Sequence, residues 1–218
     1  MERLSRVVGP IATNVHVLAD PRTREAIAID TATPSLAWIA DELAARDWTL
    51  KLIISTHGPW DHIGDNAAVA AHTGADIAVH PLDRERLTDP EPIYAPGQRQ
   101  ILAMVPPSIP AVDLAEGGLI RFGELRLRVL HTPGHTEGSV CLLSEDEAIL
   151  FSGDTLFQAG WGRVDLPGGD EAAMVASLAR LAGLEDHIGV LPGHGGVTTI
   201  GRERAWLELV RDAGRLFA

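Results

Sequence analysis

Leu50-Lys51-Leu52-Ile53-Ile54-Ser55-Thr56-His57-Gly58-Pro59-Trp60-Asp61-His62-Ile63-Gly64-Asp65 is the stretch on which the fold turns. Its first five residues form a compact, partly β-branched run, which predicts a buried strand. The run breaks into a polar loop that holds His57, Asp61 and His62, and Asp65 is placed to cap a helix over Asn66 to His72. Upstream, Thr33 reads as an N-cap with Pro34 at the first helical position, and Leu36, Ile39, Ala40 and Leu43 repeat at helical spacing up to about Arg46. Before that, Val15, Val17 and Ala19 alternate, and Ala26 to Ile29 is a short apolar run, so this region reads as strands. Ile77 to Val79 follows as another strand. The order strand, helix, strand, polar loop, helix, strand predicts a layered α/β domain. In such domains functional groups gather where strands end.

The second half repeats the theme without a sequence repeat. Strands are predicted at 119–121, 124–130, 139–143 and 148–151, with Leu125, Leu127 and Val129 alternating against Arg126 and Arg128. A Gly-rich loop runs from Asp154 to Gly169. Asp170 then caps a helix that turns Ala173, Met174, Ser177, Leu178 and Leu181 inward. Ile188 to Leu191 is a last buried strand, and 202–216 an amphipathic helix that packs either on its own sheet or on a second copy in a homodimer. Residues 88–116 are proline-rich and aperiodic, and read as a substrate-facing lid or a solvated loop. No Gly/Ser linker divides the chain, so residues 1–218 are expected to form a single domain.

Composition narrows the classes of function. The formal net charge is −12, and no Lys/Arg cluster appears, which argues against nucleic-acid binding. The N-terminus lacks the apolar segment of a signal peptide, and no run reaches the roughly 20 apolar residues of a membrane span. A cytoplasmic protein with a small-molecule substrate is expected. The single cysteine, Cys141, sits in an apolar run and reads as a buried core residue.

The chemistry lies in four segments with one local grammar. His57/Asp61/His62, His135 in His131-Thr132-Pro133-Gly134-His135-Thr136, Asp154 in Phe151-Ser152-Gly153-Asp154-Thr155, and His194 in Leu191-Pro192-Gly193-His194-Gly195 each follow a predicted strand. Each is accompanied by Gly or Pro. Imidazole nitrogen and carboxylate oxygen suit zinc and iron, and loops at strand ends can converge on one point. His16, His72, His80, His131 and His187 fall outside the pattern and read as structural; His131, four residues before His135, is the one nearest to it.

Taken together, these motifs over Asn14 to Gly196 resemble the metallo-β-lactamase superfamily, and within it the short glyoxalase II-like hydrolases. The resemblance implies an α/β fold, an αββα sandwich of two mixed β-sheets flanked by helices. It implies a binuclear metal site with His57 and His135 at the first metal, Asp61, His62 and His194 at the second, and Asp154 bridging. Asp61 and Asp154 are the expected catalytic residues, Asp61 orienting the water. Zinc, as one or two ions, is the expected cofactor, with iron or manganese as alternatives. A metal-bound hydroxide would then cleave a thioester or ester.

One position departs from the pattern. The family has a second histidine two residues after the first, and Pro59 stands there. Proline has no donor atom. Three readings stay open: a hydrolase with one or two ions, a mononuclear non-haem iron enzyme like the persulfide dioxygenases, or an impaired, non-catalytic protein. Arg163 and Asp165 are expected to pair and brace their loop, and Trp60 either lines the pocket or packs beside the motif.

Overall fold

The computed structural model describes residues 1–90 and 105–217. Two six-stranded sheets stack face to face. The first runs β1 (Glu2–Val8), β2 (Thr13–Ala19), β3 (Glu25–Ile29), β4 (Thr49–Ile54), β5 (Asp76–Val79) and β6 (Val112–Asp113) in that spatial order. β1, β2 and β3 pair antiparallel, whereas β3 to β6 are parallel. The second sheet is ordered β12 (Thr198–Thr199), β11 (Gly189–Pro192), β10 (Ile149–Gly153), β9 (Val140–Ser144), β8 (Leu125–His131), β7 (Leu119–Phe122). There only β10 and β11 are parallel.

Between the sheets lies one apolar layer, with Leu18, Ile27, Ile29 and Ile54 facing Phe122, Leu127, Val129, Leu142 and Phe151. Helices cover both outer faces. α1 (Leu36–Arg46), α2 (Trp60–Ile63), α3 (Asn66–Thr73) and α4 (Arg84–Thr88) belong to the first half; Ile39, Leu43, Val69 and Leu87 fill the core against the first sheet. α5 (Glu171–Leu181) and α6 (Ile200–Ala213) cover the second sheet with Met174, Leu178, Leu181, Leu207 and Val210. The expected αββα sandwich of two mixed sheets is what forms.

Local details correct the sequence reading. α1 starts at Leu36 with Ser35 as its N-cap, two residues later than Thr33 and Pro34 imply. The reason is tertiary: Asp65 accepts from the backbone N–H of Ser35 at 2.6 Å and of Leu36 at 2.8 Å, and from Thr33 Oγ1. Its carboxylate thus caps α1 and not the helix it precedes. The 88–116 segment is not irregular throughout, since Val112–Asp113 adds an edge strand to β5. Residues 91–104 of the expected lid lie outside the described residues. α6 begins at Ile200, where Thr199 accepts from the Arg202 N–H. Cys141 is buried as expected, and burial pushes its thiol up to about 11.

His16, on β2, is a buried imidazole whose Nδ1 meets Ser5 Oγ at 2.8 Å while Nε2 has no partner. Burial lowers its pKa to about 4 from 6.5. In the fold it is neutral, so between pH 6.5 and 4 the unfolded chain binds the extra proton. This contribution to stability is complete above about pH 6.5 and is lost as pH falls through 4. Urea unfolding of metal-free protein should lose roughly 3 kcal/mol from this group over that window. His16→Leu should flatten the curve by that amount; an unchanged slope would remove His16 as the cause.

Candidate metal centre

All six residues singled out from the sequence come together at one end of the sandwich. His57 follows β4, His135 follows β8, Asp154 follows β10 and His194 follows β11, while α2 carries Asp61 and His62 one residue apart. Backbone bonds zip these loops together: Val140 N–H to Thr56 C=O at 2.8 Å and Asn14 N–H to Gly193 C=O at 2.7 Å run between the two sheets, and Gly193 N–H to Gly153 C=O at 2.8 Å runs within the second. Gly193 has to be glycine, because a Cβ there would run into the Asp154 carboxylate and the His62 ring.

Each of the four histidines has its Nδ1 occupied behind the cluster. His62 Nδ1 faces Asp30 Oδ2 at 3.0 Å, His135 Nδ1 donates to the Arg163 carbonyl at 2.7 Å, His194 Nδ1 donates to the Ile11 carbonyl at 3.1 Å, and His57 Nδ1 meets Thr56 Oγ1 at 2.9 Å. Such bonds fix ring orientation and leave every Nε2 aimed inward, where an unprotonated ring offers its lone pair to a cation. The resulting donor atoms fall into two groups. His62 Nε2, His194 Nε2, Asp61 Oδ2 and the Asp154 carboxylate are separated by 3.1, 3.2, 3.3, 3.5 and 3.6 Å. A tetrahedron of donors about 2.0–2.1 Å from a central cation has edges of about 3.3–3.4 Å. The second group, His57 Nε2, His135 Nε2 and Asp154, is looser, with Asp154 Oδ2 at 3.8 Å from each imidazole.

The donor chemistry fits a divalent cation. His57 Nε2 and Asp154 Oδ1 are buried without a hydrogen-bond partner, a costly state for polar atoms that a cation would relieve. The electrostatics agree. Burial disfavours the His62 imidazolium, yet the carboxylates of Asp61, Asp154 and Asp30 outweigh it and raise the pKa well above the ordinary value. Burial likewise opposes ionisation of Asp61, but the His62 charge and hydrogen bonds from His194 and His62 hold its carboxyl below the usual range. His194 is raised, against burial, by its bond to Asp61 and the charge of Asp154. His57 goes the other way, lowered by burial and then by its histidine neighbours. The anionic side of the centre thus draws a proton onto His62. A dication satisfies the same field, so metal and proton compete and metal affinity falls with pH.

Several contributors escaped the sequence reading. Asp30, at the end of β3, orients His62 and also accepts from Thr56 N–H at 2.7 Å and Thr56 Oγ1 at 2.8 Å. Its signal was present, a carboxylate directly after the apolar run Ala26 to Ile29. Asn14 donates to the Pro192 and Gly195 carbonyls and holds the His194 loop. Asp83 and Arg86 gave no sequence signal at all. Among the expected structural histidines, His131 stacks on His80 with ring centroids 4.1 Å apart and lies in neither donor group. Arg163 and Asp165 pair at 2.7 Å, exposed, while the Arg163 carbonyl braces His135. Trp60 is partly buried against the first core.

Comparison with known proteins adds an independent line. The family model of the metallo-β-lactamase superfamily matches residues 8–194. The hydroxyacylglutathione hydrolase GloC of Haemophilus influenzae is 34% identical over 160 residues, covering 72% of this chain and 74% of its own. Among solved structures, the BLEG-1 B3 metallo-β-lactamase superposes with a TM-score of 0.82 at 33% identity, over 96% of this chain and 99% of that one. TTHA1623, solved in a di-iron-bound form, gives 0.80 at 32% identity, over 92% and 96%.

Proposed function

The chain belongs to the metallo-β-lactamase superfamily, and on that footing we propose that it is a metal-dependent hydrolase of a thioester or ester of a small metabolite. The observation that carries this reading is the convergence of four Nε2 atoms and two carboxylates, close enough to one another to share metal ions. Similarity to a hydroxyacylglutathione hydrolase favours a thioester. No transmembrane helix is present among the described residues, and we place the reaction in the cytoplasm.

His62, His194, Asp61 and Asp154 would hold one ion, and His57, His135 and Asp154 the other. Bound there, a divalent ion supplies Lewis-acid polarisation of a carbonyl and makes water acidic enough to attack near neutral pH. Asp61 is held ionised, which leaves its carboxylate able to orient an attacking water. His194 is the most exposed donor, with 23% of its side chain open, so substrate approaches from that side. A covalent route through cysteine has no support, because Cys141 is buried with its thiol pushed up to about 11.

A second reading rests on one observation. His57, His135 and Asp154 form a two-histidine, one-carboxylate group, and Pro59 adds no fourth donor. That arrangement suits non-haem iron in an oxygen-using enzyme, and the resemblance to the persulfide dioxygenases makes a persulfide its substrate.

One experiment separates the two. Protein purified without added metal or chelator is assayed for zinc, iron and manganese per chain, for hydrolysis of a panel of hydroxyacylglutathione thioesters, aryl esters and a β-lactam, and for oxygen uptake with a persulfide. Thioester or ester turnover that a chelator abolishes and metal restores is expected. A β-lactam-only activity, or oxygen uptake with iron and no hydrolysis, would replace the proposal.

A further inference from the structure

Asp83 is fully buried, yet it is a carboxylate with no place among the donor atoms. It closes the 3-10 turn Pro81–Asp83 that leads into α4. Its Oδ2 accepts from Gly58 N–H at 2.8 Å and Thr136 Oγ1 at 2.7 Å, and its Oδ1 from Gly138 N–H at 3.0 Å. Gly58 is the residue after His57, and Thr136 the residue after His135. One carboxylate therefore ties together the two loops that carry the imidazoles of the looser donor group. Its charge is met by Arg86, whose Nε lies 3.3 Å away and whose Nη2 donates to Glu137 at 2.9 Å and to the Pro167 carbonyl at 3.0 Å. The packing is close: a Cβ on Gly138 would strike the Asp83 carboxyl, and one on Gly58 the Arg86 side chain. The tighter group is braced elsewhere, by Asp30 on His62 and the Ile11 carbonyl on His194.

We propose that Asp83 is a positioning residue which fixes the spacing of His57 and His135, and so lets this three-donor group keep an ion although Pro59 supplies no ligand. The inference rests on the metal-centre reading above. A site with few donors depends most on having them preorganised, since it has fewest bonds to offset the ordering of its loops.

The test is a stepwise Co²⁺ titration of metal-free protein, followed calorimetrically and by the visible absorption of bound cobalt, on the wild type, Asp83→Asn and Thr136→Val. The last removes one donor and leaves the buried carboxylate in place, in case Asp83→Asn does not fold. The wild type should take two ions. In the variants the step belonging to His57, His135 and Asp154 should weaken about 10–100-fold in Asp83→Asn and less in Thr136→Val, with the other step unchanged. Equal weakening of both steps, or of neither, overturns the proposal. A wild type that takes a single ion, at the tighter group, overturns it but leaves the hydrolase reading standing. A wild type that takes none sinks both.

Discussion

Asp154→Ala is expected to lose about one metal ion per chain and to lower thioester or ester hydrolysis by about 10³-fold, roughly 4 kcal/mol of transition-state stabilisation. Asp154 is the carboxylate shared between the two donor groups. Its Oδ1 lies 3.5 Å from His62 Nε2, and its Oδ2 lies 3.6 Å from His194 Nε2 and 3.8 Å from both His57 and His135. Without it the looser group keeps two imidazoles, while the tighter one retains His62, His194 and Asp61. The ion lost should therefore be the one at His57 and His135. Elemental mass spectrometry and steady-state kinetics on protein prepared in parallel check both halves of the expectation. Asp154→Asn keeps the shape and one carbonyl oxygen but not the charge, so it should bind metal better than Asp154→Ala and still turn over slowly. Wild-type metal content and activity in Asp154→Ala would move the centre elsewhere.

What could be read from the sequence was the set of side chains that end strands. His57, His135, Asp154 and His194 each follow an apolar run, and that grammar is local, so it survives without a structure. Asp30 follows the same grammar after Ala26 to Ile29, but a lone carboxylate at a strand end says nothing of which histidine it faces 32 residues on. Asp83 is further out of reach. It stands in a short turn with no periodicity, and its role exists only because two loops from different sheets meet on it. The start of α1 fails for the same reason, since the cap comes from Asp65, about 30 residues downstream. Local propensity favoured Thr33 and Pro34, and a tertiary hydrogen bond decided otherwise. Periodicity thus yields the layers, and the strand-end motifs yield the candidate ligands; the braces behind them are contacts between distant segments, which a one-dimensional pattern does not encode.

Pro59→His should raise the affinity of the looser group by about 10–100-fold, roughly 1.4–2.8 kcal/mol, read as a steeper second step in the same Co²⁺ titration. Position 59 has φ −59° and ψ 147°, an extended conformation that histidine adopts without strain, so the backbone need not move to accept the ring. It lies in the His57 loop at the start of α2, two residues from His57 and two from Asp61. If a further imidazole completes the group, the site should depend less on its brace. The cost of Asp83→Asn to that binding step should then be smaller in the Pro59→His background than in the wild type, a coupling that a double-mutant cycle measures directly. The same variant separates the two chemistries. Hydrolysis that holds or rises as the second step tightens fits a two-ion hydrolase. Oxygen uptake with a persulfide that falls as the added donor fills a position needed by oxygen fits the iron enzyme. A second step that does not tighten at all would mean that residue 59 does not face the looser group, and that Pro59 is not the missing ligand position.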